Sequence, residues 1–319
     1  MHEGPMPEDS PIPVRALLSE AFAERESTDF LFRPNDIVLA GDTAVVLDTG
    51  NDRLLFLDTS LHVIQTVGRT GAGPGEFAAP NVARVARDEI FVSEINNGRF
   101  TVLDRGGNFR RTFGQAILAL SFAVGSDGTV YRPARSTTDH IWRINDESEA
   151  LFAPRRDTAT GDEATAILRA KREPWVALTP GDTIHVFDDT NGTISKYDSR
   201  GRYLGRRALP KALLDSLNDK RRSFAKALQG FGVNEFGVPL IKSFAVTAEG
   251  EILIVLATGT TVAAVVDPQT YRIRRITVPS PDGPWTLLRN ARSMALRGDR
   301  LWVLSGDQLL LYGVDRGSG

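Results

Sequence analysis

The chain carries four histidines, at positions 2, 62, 140 and 185, and no cysteine. Those counts limit the chemistry before any fold is considered. A zinc centre needs several converging ligands. His2 lies in a proline-rich arm, His62 falls in a polar turn, and His140 and His185 sit in separate strand-like segments, so no zinc and no other cofactor is expected. Without cysteine, disulfides, thiolate catalysis and cysteine-held metals are excluded. The sequence has no Gly-x-Ser-x-Gly elbow, no His-Glu-x-x-His pair and no complete phosphate loop. The remaining candidates are basic and aromatic: Arg135, His140, Trp175, Lys220, Arg221, Arg222, Phe224, Lys242, Trp285 and Arg292. Such a set can grip an acidic protein surface, an anionic small molecule or a nucleic-acid backbone. Arginine and aromatic side chains are also the usual anchors of interfaces. A solvated helix face over buried aromatics explains the same residues.

The elements that position these side chains come from a repeat. Residues 71–104 run from a glycine-rich loop through an apolar strand (82–85), a turn, a second strand (90–93), a polar turn and a third strand (100–103) closed by Asp104. Equivalent third strands close at Asp58, Asn145, Asp198 and Asp267, and at Gly313, where the acid is missing. An apolar-small-apolar triplet recurs at 37–39, 122–124, 176–178, 244–246 and 294–296, with Val82-Ala83-Arg84 as a looser member. A small residue at the centre suits strands converging on a crowded axis. The loop Gly71-x-Gly73-x-x-Glu76-Phe77-x-x-Pro80 reappears from Gly230 to Pro239. Short strands spaced by turn signals, at a period of about 40 to 50 residues, predict propeller blades.

Residues 71–104 resemble an NHL repeat, most clearly matched by the repeats ending at Asp58, Asp104 and Asp198. The resemblance implies an all-β fold, a six-bladed β-propeller. It leaves function open, because such propellers include protein-binding and RNA-binding modules, a zinc-dependent amidating lyase and calcium-dependent lactonase relatives. Ahead of the triplets stand Asp36, Asn81, Ser121, Trp175, Ser243 and Ser293, a ring near the expected channel mouth. Only Asp36 offers a carboxylate, with Lys242 and Arg292 adjacent, which argues against a calcium site that wants several.

In chain order, residues 1–13 read as a polar arm of disordered composition. Val14, Leu17, Leu18, Ala21 and Phe22 follow helical spacing and predict a short amphipathic helix. The segment 30–32 is then expected to complete the last blade beside residue 310 and close the ring. The domain reading is an arm with a short helix over 1–27 and the propeller over 28–319. Insertions at 155–173 and 206–240 interrupt it. The second, between blades four and five, predicts a helix of about four to five turns with Leu213, Leu217, Phe224 and Leu228 on its inner face. Both insertions replace links from an outer strand to the next inner strand, so they decorate the face that carries the turns between second and third strands. On those turns Asp48, Glu94 and Asp188 are each followed three residues later by Asn51, Asn97 or Asn191, a pairing suited to bonding turn backbone. In the third repeat Arg135 takes the acid's place, and His140 stands where Arg53 and Arg99 stand elsewhere.

Charged residues make up 24% of the chain and the net charge is −2, so no global field draws it to nucleic acid or anionic lipid. No apolar run is long enough to span a membrane as a helix. The start lacks the basic and apolar regions of a signal peptide, which suggests a cytoplasmic protein, or a periplasmic or secreted one whose signal has been removed. The leading functional expectation is a non-catalytic propeller that binds another protein, as a subunit of a larger assembly. The rivals are a small-ligand enzyme of the lactonase or lyase kind, with its site at the channel mouth under the second insertion, and an RNA-binding module.

Overall fold

The structure, a computed structural model, describes residues 4–21, 30–114, 121–134, 139–145, 148–154, 174–228, 230, 238–258, 260–280 and 285–316. Its strands form antiparallel sheets whose first strands face a common axis. The first sheet is β2 (Asp36–Ala40), β3 (Thr43–Asp48), β4 (Arg53–Leu57) and β5 (Val63–Val67). The second is β6 (Pro80–Ala86), β7 (Glu89–Glu94), β8 (Arg99–Asp104) and β9 (Phe109–Phe113). The third is β10 (Ala123–Val124), β11 (Val130–Pro133), β12 (Asp139–Ile144) and β13 (Glu149–Pro154). The fourth is β14 (Trp175–Thr179), β15 (Thr183–Asp188), β16 (Thr193–Tyr197) and β17 (Tyr203–Ala208).

The remaining strands form one eight-stranded sheet. Four of them are β18 (Ser243–Val246), β19 (Ile252–Thr258), β20 (Thr261–Val266) and β21 (Ile273–Thr277). Three are β22 (Ser293–Arg297), β23 (Arg300–Ser305) and β24 (Gln308–Val314), and the joint between the two runs is β1 (Ile12–Ala21).

Burial is greatest in the middle strands, least in the outer ones, and intermediate in the inner strands that border the axis. Middle strands such as β7 and β20 are nearly continuous apolar runs buried on both faces, whereas outer strands such as β9 alternate between half-buried and exposed positions. The apolar clusters lie between neighbouring sheets. One joins Val45, Leu47 and Phe56 of the first sheet to Ile90 and Val92 of the second and to Phe77 in the loop ahead of it. Another joins Ile37, Val46 and Leu55 to Trp302, Leu304 and Leu311, so the last strands pack on the first. Inner strands touch in cyclic order, β2 to β6, β10, β14, β18, β22 and back to β2. This arrangement is a β-propeller.

The N-terminal region departs from the sequence-based expectation in two ways. Residues 12–21 form a strand, not a helix, and this strand, not the 30–32 segment, lies beside β24, with Leu17 opposite Tyr312 and Glu20 opposite Leu310. Its first residues also pair parallel with β21, Ile12 opposite Ile276. The helical spacing of Val14, Leu17 and Leu18 was coincidental. Ile12 and Val14 are buried while Leu17 and Leu18 are 46% and 54% exposed, because a long-range partner outweighs local pattern.

Segment 30–32 instead underpins the first sheet. Leu31 is buried, and the Phe32 N–H donates to Asp48 Oδ1 at 2.7 Å. The arm, expected to be disordered, lies along its own propeller from residue 4. Met6 N–H donates to the Ala208 carbonyl and Asp9 N–H to that of Ile273, both at 2.9 Å, and Met6 is buried. An Arg272–Asp9 ion pair adds to this, and the arginine holds the Asp9 carboxyl below its usual range.

Closure by β1 predicts a contrast between two alanine substitutions. Ile12→Ala removes a core side chain and is expected to cost about 2 to 4 kcal/mol in denaturant unfolding. Leu18→Ala on the same strand should stay within about 0.5 kcal/mol. Equal losses at both positions would refute this account of the strand.

Candidate functional site

The face that carries the turns between second and third strands is built on buried carboxylates. Asp48 accepts from Asn51 at 2.8 Å and from Arg53 at 2.7 Å. Glu94 repeats the arrangement with Asn97 at 2.6 Å and Arg99 at 2.8 Å, and also accepts the Ala78 N–H at 3.0 Å. Asp188 accepts from Asn191 at 2.9 Å. These acids fix turns, as their spacing suggests.

The long helix α1 (Lys211–Ala227) docks on the fourth sheet's turn. Pro210 precedes its first turn and Lys226 lies in the last. Its buried positions are Leu213, Leu217, Arg221 and Ala225, a strict four-residue stripe. Arg221, expected to face a partner, is therefore buried, donating to the Asp189 carboxylate at 3.0 Å and carbonyl at 2.6 Å. The other Asp189 oxygen accepts the Leu240 N–H at 2.8 Å, so this pair ties the helix to the chain leading into β18. Phe224, expected on the inner face, is 54% exposed.

The structure brings together only part of the predicted set. Lys220, Lys242 and Arg292 converge, joined by Arg289 on the short helix α2 (Thr286–Arg289), which sequence reasoning missed. The Lys242 ammonium donates to the Arg289 carbonyl at 3.2 Å, and Arg292 donates to the Pro34 carbonyl at 3.3 Å. Partial desolvation of the Lys242 ammonium lowers its pKa to about 8, with Lys220, Arg292 and Arg289 pushing the same way. Lys220 is lowered too, by burial and by Arg289. Phe224 stands one turn beyond Lys220 on the helix surface.

Trp175 and Trp285 are half-buried against the core, Trp285 beside Tyr312. Arg222 pairs with Asp219 on the open helix face. Arg135, insertion 155–173 and the loop at 231–237 lie outside the described residues, as does the side chain of His140.

At the axis, the ring predicted from Asp36 to Ser293 is a hydrogen-bonded plug. Asp36, 6% exposed, accepts from Ser293 Oγ at 2.7 Å, from the Ala83 N–H at 3.0 Å and from Arg84 Nη1 at 3.0 Å. Arg84 extends across the axis, within 3.4 Å of the Phe244 carbonyl. The looser triplet at 82–84 was the available signal for this residue. The Asp36 oxygens are thus engaged by an arginine and neutral donors, an unfavourable start for a cation site.

Beyond the plug, on the face opposite α1, lies a cavity of about 600 Å³. The channel opens away from the second insertion, not beneath it. Hairpin turns fasten its mouth: Ser126 donates to Asp182, Arg297 to the Gly41 carbonyl at 2.6 Å, and Gly298 N–H to Glu249 at 2.7 Å.

No protein-family model and no curated protein matches the chain. Solved structures do resemble it. A virginiamycin B lyase from Staphylococcus aureus is similar at 9% identity and a TM-score of 0.53, over 88% of this chain and 94% of the lyase. A protein designated as exported, from Bacteroides fragilis, gives 11% identity and a TM-score of 0.57 over 99% of both chains. A gluconolactonase from Xanthomonas campestris gives 14% and 0.50, over 96% and 98%. At these identities the likeness shows the propeller fold alone.

His185, one of the zinc candidates, is a core residue on β15. It is fully buried, with Nε2 3.1 Å from Thr179 Oγ1 and its ring packed on Tyr271. Burial lowers its pKa to about 3, with the Lys196 charge contributing. The unfolded chain therefore binds a proton near pH 6.5 that the folded chain refuses, so stability falls as pH drops from about 6.5 towards 3. His185→Gln should flatten this part of the stability profile measured by denaturant unfolding. An unchanged slope would contradict the assignment.

Proposed function

We propose that the chain is a six-bladed, NHL-type binding propeller whose helix-bearing face receives an acidic segment of another protein. The observation that supports this is the gathering of Lys220, Arg289 and Arg292 near Lys242, whose ammonium donates to the Arg289 carbonyl at 3.2 Å. Burial of the Lys242 ammonium is the main reason its pKa falls to about 8, and the neighbouring cations push the same way. An incoming carboxylate relieves that repulsion. Phe224 beside the cluster supplies an apolar contact of the kind that anchors interfaces.

Six blades follow if β1 is taken as the outer strand of a last blade with β22 to β24, the parallel contact with β21 being a seam between blades. The propeller then takes in β1 as well as residues 28–319, and the arm expected over 1–27 shrinks to the residues ahead of β1. In this reading the protein is non-catalytic and belongs to an assembly. Of the two settings considered, cytoplasmic or exported, the second is in line with the Bacteroides fragilis neighbour.

The test is isolation of tagged chain from its native source, comparing wild type with the Lys242→Glu/Arg292→Glu variant. Wild type should retain a stoichiometric protein partner that salt weakens, and the variant should lose it at least tenfold. Recovery of bare monomer from wild type would sink the reading. Equal retention by the variant would move the interface off this face.

A further inference from the structure

The proposed interface leaves the axial cavity unused, and the construction of that cavity is regular. Every inner strand contributes a branched aliphatic residue to its wall, Leu39, Val85, Val124, Leu178, Val246 or Leu296, and β2 adds Ile37 and Val38. Its floor is Arg84. A cavity of about 600 Å³ with apolar walls and few polar groups has the size and make-up of a small-molecule site.

The polar groups decide the ligand's character. Arg84 Nη1 gives both hydrogens away, to Asp36 and to the Ala83 carbonyl, and Nη2 gives one to Phe244. A guanidinium has five N–H donors, so the Nε–H and one Nη2–H have no acceptor among the described residues. The arginine's charge is already met by Asp36 at 3.0 Å. At the mouth, Arg297 is paired with Asp42 and Glu249 with Arg316, while the Asp182 carboxylate accepts from Ser126 and adds a negative charge that further disfavours an anionic ligand. The floor thus offers hydrogen-bond donors without net charge. A ligand carboxylate would meet the Asp36 negative charge close behind the guanidinium, whereas a neutral acceptor meets only the donors.

We propose that this cavity, on the face opposite α1, binds an uncharged, mainly apolar small molecule, with a ketone-, ester- or amide-type carbonyl accepting from Arg84. The site is independent of the cation cluster and of any partner there. The side chains at 124 and 246 set its width, and Arg84 sets its polarity.

The probe is 6-propionyl-2-dimethylaminonaphthalene, an uncharged aromatic ketone whose emission responds to its surroundings, titrated into the full chain. Saturable one-to-one binding with blue-shifted emission is expected. Val124→Phe and Val246→Phe, tested separately so that one folding failure does not stop the experiment, should each weaken it at least tenfold. Circular dichroism and melting would establish that the variants are folded.

Arg84→Lys keeps a cation against Asp36 but loses the planar donor fork. It should weaken the ketone about tenfold while leaving 2-dimethylaminonaphthalene, which lacks the carbonyl, within about twofold; the fold-changes are those of one lost hydrogen bond of roughly 1.4 kcal/mol. Absence of saturable binding, undiminished binding in the folded phenylalanine variants, or tighter binding of the corresponding naphthoate would overturn the proposal.

Discussion

One buried carboxylate at the axis governs how the inner strands of this propeller are joined. Asp36 gathers donors from β2, β6 and β22, the last two reaching it from neighbouring sheets. It thereby converts three adjacent inner strands into one fastened unit. A carboxylate this deep is tolerable only when its oxygens are satisfied and its charge is countered, and Arg84 does both. Because the arginine spans the axis to do so, a potential through-channel becomes a blind cavity. The two faces of the wheel are separated chemically as a result, one with crowded cations and the other with an apolar cup.

The two faces also differ in how their loops are fixed. On the helix-bearing side, Asp48, Glu94 and Asp189 draw in backbone N–H groups of the incoming chain, and α1 rests on that base through Leu213 and Leu217. Charged side chains here are either committed to architecture, as with Arg221, or massed together, as with Lys242 and its neighbours. On the opposite side the hairpin turns hold one another, so the mouth of the cup is preorganised instead of depending on an insertion. Rigid scaffolds with dissimilar ends are well suited to carrying more than one binding task.

The blade repeat was legible because its signals are local: apolar strands, polar turns, and acids three residues before asparagines. Asp48 with Asn51, and Glu94 with Asn97, behave as their spacing indicates. What escaped was whatever depends on partners far along the chain. Residues 12–21 have spacing compatible with a helix, yet Val314 and Ile276 are what they meet. On α1, Leu213 and Leu217 were identified as inner positions, but the stripe continues to Arg221 because Asp189, 32 residues earlier, supplies a buried counter-charge. Arg84 looked like an imperfect triplet member, and only the ring geometry reveals an arginine reaching across an axis. Arg289 had no repeat signal at all.

The seam at β1 carries a consequence for the order of assembly. Residue 14 is hydrogen-bonded beside residue 314, nearly the greatest separation this chain allows. Such a contact involves a large loop-closure entropy and forms late. During synthesis the early strand must wait, its edge uncovered, until the final hairpin leaves the ribosome. An unshut wheel exposes two raw sheet edges, and in a crowded setting another copy's early strand can fill the gap. The vulnerable period in this molecule's life is therefore the interval before its seam is sewn.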